Sequence, residues 1–149
     1  MEQNIIKTLM FLLFLIALSV NFYYGSIGVF PIDTFAHFDP AYRILNGSSP
    51  FKDYWTVSGL SVDYIQSLFF LIFGVNWFGY IMHSSLLNAI LAISVFYFFN
   101  KFGLKKYFSF FYSLCFSLLA YPPVGVPFID HHSSFFSLLG IFFLLIAIK

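Results

Sequence analysis

The chain has 149 residues, of which 60% are hydrophobic, 24% aromatic and only 9% charged, and its mean hydropathy is +0.89. A soluble domain carries charge on roughly a quarter of its residues, so this composition describes a membrane protein. A net charge of +1 from seven basic and six acidic residues excludes a basic field for nucleic acid, and the single cysteine, Cys115, excludes an internal disulfide and a cysteine-built zinc site.

Gaps between charges mark the spans, because a charge at the bilayer centre costs about 2.5–3.5 kcal/mol on insertion scales. The gap between Lys7 and Asp33 predicts a first span over residues 8–24. Its apolar run continues to Phe30, beyond the core of a signal peptide, which favours an uncleaved anchor over cleavage near Ala17-Leu18-Ser19.

Residues 25–76 form a long loop with helix punctuation of its own. Asp39-Pro40 reads as an N-cap followed by proline, and Asn46-Gly47 as a stop, which predicts a helix over residues 40–46, with an earlier start near Asp33 as the alternative. Phe35, Phe38, Tyr42 and Leu45 give that helix one apolar stripe for a membrane interface. Leu60–Phe73 reads as a second interfacial helix, too short to span, carrying Asp63 and Gln66. Asp33 fits a helix cap and a functional carboxylate equally well. Asp39 reads mainly as a cap, and His37 as an interfacial polar side chain one turn beyond Asp33. Lys52 and Asp53 read as solvated or paired with each other.

Further spans are predicted over residues 77–99, 107–121 and 133–148. Within the second, His83, Ser84, Ser85 and Asn88 are expected to hydrogen-bond neighbouring helices. With four spans, Lys7, Lys101, Lys105, Lys106 and Lys149 all fall on one side. The positive-inside rule makes that side cytoplasmic and places both termini there. The loops 25–76 and 121–132 then share the outer face. The second loop holds Pro122, Pro123, Gly125 and Pro127, and Asp130-His131-His132 opens the last span. Asp130 fits a cap or a site residue, and Asp130 with His131 offers a metal an oxygen and a nitrogen. His131 and His132 point about 100° apart on a helix and so suit different partners.

Three stretches then stand in a recognisable order: Asp33-Thr34-Phe35-Ala36-His37-Phe38-Asp39-Pro40-Ala41-Tyr42, Gly47-Ser48-Ser49-Pro50-Phe51-Lys52-Asp53-Tyr54-Trp55, and a helix ending in Phe73-Gly74. Together they resemble the first outer loop of GT-C membrane glycosyltransferases, notably the bacterial relatives of protein mannosyltransferases and of the lipid A aminoarabinose transferase. The resemblance covers only the N-terminal part of those proteins, which have about ten or more spans. Thr34 and Thr56-Val57-Ser58-Gly59 depart from their pattern of a second acidic residue and a basic segment.

The resemblance implies transfer of a sugar from a polyprenyl-phosphate carrier to a lipid, polysaccharide or protein acceptor at the outer face of a bacterial inner membrane. It implies Asp33 as general base and Asp130 as its companion acid or ligand to a divalent cation. His37, Lys52 and Asp53 would then lie on the substrate side, with Lys52 nearest the carrier phosphate. The expected fold is an all-α polytopic membrane protein with about four transmembrane helices and two outer interfacial helices. The competing expectation is a small non-enzymatic membrane subunit, an assembly or lipid-carrier partner, in which Asp33 and Asp130 are caps.

Overall fold

A computed structural model of the chain describes residues 2–28, 34–56 and 59–149. Its helices are α1 (Glu2–Ile27), α2 (Phe38–Leu45), α3 (Leu60–Phe73), α4 (Trp77–Lys101), α5 (Lys106–Leu119) and α6 (Ile129–Ile148). Three are long and apolar enough to cross a membrane: α1 with 26 residues, α4 with 25 and α6 with 20. The 14 residues of α5 cover only about 21 Å at 1.5 Å per residue, less than a hydrocarbon core of about 30 Å.

Three helix starts differ from the sequence reading. α1 begins at Glu2, because a helix continues past the charges that end its apolar segment. α2 begins at Phe38, and Asp39 does not cap it. Its carboxylate instead accepts a 2.7 Å hydrogen bond from Arg43 Nε one turn on, while His37 holds the cap position and its side chain makes no capping bond. α6 begins at Ile129, so Phe128 is the cap residue and Asp130 lies inside the first turn. There its charge suits the helix dipole rather than replacing a missing acceptor. The end of α2 follows expectation, with Gly47 at φ +85°.

Charges fix the two ends of the bundle. At one end Lys106 Nζ lies 3.1 Å from Glu2 Oε1, and Lys149 Nζ donates to Lys101 O at 2.6 Å. At the other, Trp77 Nε1 donates to Gly25 O at 3.0 Å, and Gly125 packs against Gly25. α5 and the turn after it therefore run from the lysine end to the glycine end, although the helix itself stops short. α2 and α3 lie at the glycine end, with α2 on α3 and α3 on α4.

Where α1, α4 and α5 meet, Leu13, Ala17, Ala89, Ala92 and Phe96 are fully or almost fully buried. α5 faces this core with Ser109, Ser113 and Ser117, spaced one turn apart. Without water there is little hydrophobic gain from joining helices in lipid, so small residues that permit close approach and polar groups that bridge backbones carry the association. Asn88 is such a bridge: its Nδ2 donates to Ala17 O at 3.0 Å and Ser117 O at 3.1 Å, tying α4 to both neighbours.

A second core, at the glycine end, joins Ala41, Phe70, Tyr80, Ile81 and Val126. It depends on a backbone approach that only glycine permits. A Cβ on Gly25 would lie 2.6 Å from Gly125 O, and one on Gly125, at φ +73°, 2.7 Å from Gly25 Cα. Gly125→Ala is therefore expected to destabilise the protein by about 3 kcal/mol through strain and overpacking. Asn88→Leu is expected to cost about 1–2 kcal/mol through two lost interhelical bonds. Thermal unfolding in detergent micelles should show both melting temperatures lowered, with Gly125→Ala the lower.

Candidate functional site

At the glycine end several polar side chains point into the protein while large apolar ones on the same helix point out. On α3, Asp63 and Gln66 are completely buried, whereas Leu68, Leu71 and Ile72 are more than half exposed. This inverted pattern suits a helix whose surroundings are hydrocarbon. It also gathers Asp63 with His37, His83 and His132 into one interior cluster.

The first part of the cluster is built on Asp63. Its Oδ1 lies 2.6 Å from His37 Nδ1, and its Oδ2 accepts from Thr56 Oγ1 at 3.2 Å. A carboxylate removed from water must be compensated by hydrogen bonds or a partner charge, and these two groups compensate it. Just ahead of α2, the Tyr80 hydroxyl donates to Thr34 O. Tyr80 and Asp63 thereby hold both ends of the turn over residues 34–37.

The second part runs across three elements. Gln66 on α3 meets His83 on α4, with 2.9 Å between Oε1 and Nδ1. His83 Nε2 lies 3.0 Å from His132 Nε2 on α6, and His132 Nδ1 meets the Tyr121 hydroxyl. Phe69 stacks on His83 with 4.8 Å between ring centroids, closing the pair on the α3 side. Three of the four histidines of the chain are thus buried in this cluster: His37, His83 and His132.

The residues singled out from the sequence are distributed differently. Asp33 lies outside the described residues. His37 is interior and bonded to Asp63. Lys52 and Asp53 are exposed in the turn before Tyr54, where Asp53 Oδ2 accepts from Ser49 N at 2.7 Å, so Asp53 closes its own turn. Beside them Tyr54 donates to Pro40 O at 3.3 Å, and burial pushes its hydroxyl above the usual tyrosine range. Arg43, over the Tyr54 ring, is held more firmly protonated by its hydrogen bond to Asp39.

Asp130 is exposed, and its neighbour His131 packs half-buried against the rings of Tyr121, Phe128 and Phe135. Both line an open groove of about 430 Å³ between α5 and α6, with Ser134, Phe116, Leu119 and Phe135. His131 Nδ1 is buried there without a partner among the described residues. Among the described residues, no hydrogen bond or ion pair joins His37, Lys52, Asp53, Asp130 and His131 to one another. Nor, among them, does any group of three or more His, Cys, Asp or Glu stand close enough to hold a metal ion.

Asp63, Gln66, Thr56, Tyr80, Tyr121 and His132 are the members to which sequence reasoning gave no site role. The available signal was the i, i+3 spacing of Asp63 and Gln66 in an otherwise apolar helix, since polar residues on such a helix turn inward. No protein-family model matches the chain, and neither a curated protein nor a solved structure is significantly similar to it.

Asp63→Ala takes the carboxylate away from the buried His37 ring and is expected to cost about 3–5 kcal/mol. In a double-mutant cycle with His37→Ala the two losses should fall short of additivity, because either change alone strands the other partner. Unfolding free energies of the four proteins in micelles check this, and additive losses would mean the pair is not coupled.

Proposed function

We propose that the chain is the N-terminal membrane module of a glycosyltransferase that moves a sugar from a polyprenyl-phosphate carrier to an acceptor at the outer face of the bacterial inner membrane. The observation that carries this reading is the arrangement of the first loop. A short helix stopped at Gly47, a Pro50–Asp53 turn and a helix ending at Phe73-Gly74 are folded over the end of the bundle opposite Lys101, Lys106 and Lys149. That order of elements is the one on which the resemblance to GT-C enzymes rests.

In this reading the chain crosses the membrane four times, with the turn after α5 completing the third crossing. The lysine end is cytoplasmic, as the positive-inside rule requires. Acceptor oxygen attacks the anomeric carbon, the bond to the carrier phosphate breaks, and Asp33 takes the acceptor proton. The groove beside Asp130 supports the reading in a second way. Phe116, Leu119 and Phe135 give it an apolar wall, while Asp130, His131 and Ser134 give it a polar rim for hydroxyl groups.

The test is Asp33→Asn in membranes carrying the encoded reading frame, assayed for transfer of labelled sugar from polyprenyl phosphate. Asparagine caps a helix nearly as well as aspartate but cannot accept the proton. Transfer should fall about 10²–10⁴-fold with the melting temperature unchanged. Undiminished transfer removes Asp33 from the reaction.

A second reading, a non-enzymatic membrane subunit, is favoured by the way the cluster bonds are closed on one another, from Asp63–His37 to His132–Tyr121. It predicts no transfer by the unaltered protein.

A further inference from the structure

The hydrogen-bond directions around His83 and His132 can be worked out from the two backbone carbonyls that bound the pair. A carbonyl only accepts. Gln66 Nε2 lies 3.3 Å from Gly79 O and must donate to it, which turns Gln66 Oε1 toward His83. That oxygen, also an acceptor, requires a proton on His83 Nδ1. At the other end His132 Nδ1 lies 2.9 Å from Phe128 O and requires a proton there. Two neutral imidazoles protonated in this way would set two bare Nε2 lone pairs against each other, yet those atoms are 3.0 Å apart.

We propose that His83 and His132 together bind one further proton, shared between their Nε2 atoms, as an N–H–N bridge that fastens α6 to α4. The site is a proton-binding site independent of the glycosyltransferase reading. Burial disfavours a charged imidazole, so the bridge depends on the acceptors at both ends of the pair and on sharing the charge between two rings. Asp63 and Gln66 lie one turn apart on the same buried side of α3.

The titratable groups that face the pair are His37 before α2, Tyr121 in the turn after α5 and His131 beside it on α6, while Asp63, bonded to His37, lies one turn from Gln66 on α3. Tyr121 offers the one competing arrangement. If its hydroxyl donates to His132 Nδ1, then His132 Nε2–H donates to His83 Nε2 and no extra proton is needed. That arrangement leaves an unprotonated Nδ1 facing the Phe128 carbonyl. The bridge matters for α6 in particular, because His132 is its buried residue and α6 contacts the bundle mainly through α4.

The experiment is solid-state nitrogen NMR of the full chain in lipid bilayers, labelled at histidine nitrogen. At neutral pH the proposal expects protonated shifts at both Nδ1 atoms of the pair. It also expects a coupling across the hydrogen bond between the two Nε2 atoms, with neither Nε2 at the fully bare position. An unprotonated shift at His132 Nδ1, or no coupling, overturns it. Tyr121→Phe then separates the two arrangements. The proton-binding pair keeps its coupling and its Nδ1 shifts, whereas the tyrosine-fed relay loses its donor and its pattern changes. Loss of the coupling in a Tyr121→Phe protein whose other signals stay in place also overturns the proposal.

Discussion

The carbonyl of Gly125 is the point from which the glycine end of the molecule is built. It accepts from Ser84 Oγ at 2.8 Å and Asn21 Nδ2 at 3.4 Å, inside a region where a bare carbonyl would cost several kcal/mol. Those two donors lie on α4 and α1, so satisfying one backbone oxygen joins three parts of the chain. The approach is possible because Gly25 and Gly125 carry no side chains. Trp77 caps the same junction by donating to Gly25 O, and Val126 is drawn into the core beside Phe70 and Tyr80.

The α6 side of the candidate site follows from that anchor. With residue 125 held against α1, the turn after α5 presents Tyr121 inward and starts α6 at Ile129. His132 then comes within reach of His83, while the adjacent Asp130 and His131 are left at the groove. Adjacent helical positions differ by about 100° in direction, so one short segment supplies both a buried bond and an open rim. Small apolar residues permit the close packing of α1, α4 and α5, and buried polar residues set their register.

Several of these features could be read in the sequence. The apolar lengths identified α1, α4 and α6, and the Phe73-Gly74 break gave α3 its end. The expected bonding of Ser84, Ser85 and Asn88 between helices is what the structure contains. Asp39 and Asp130 were harder, because a carboxylate near a helix start fits both the cap and the first turn. Which it occupies depends on the residues around it: Arg43 draws Asp39 to its own side, and Phe128 takes the cap position of α6.

Composition and charge spacing by themselves determined that this is an all-helical membrane protein and that five of its six lysines gather at one end, because both follow from the cost of moving charge and unpaired backbone out of water. They also located the two loops in which polar chemistry is concentrated. Only the tertiary structure decided which polar residues meet. Asp63 lies 26 positions from His37, and His83 lies 49 from His132. No periodicity relates residues so far apart; their contact depends on the Gly25–Gly125 approach and on the direction in which each helix turns its polar side inward.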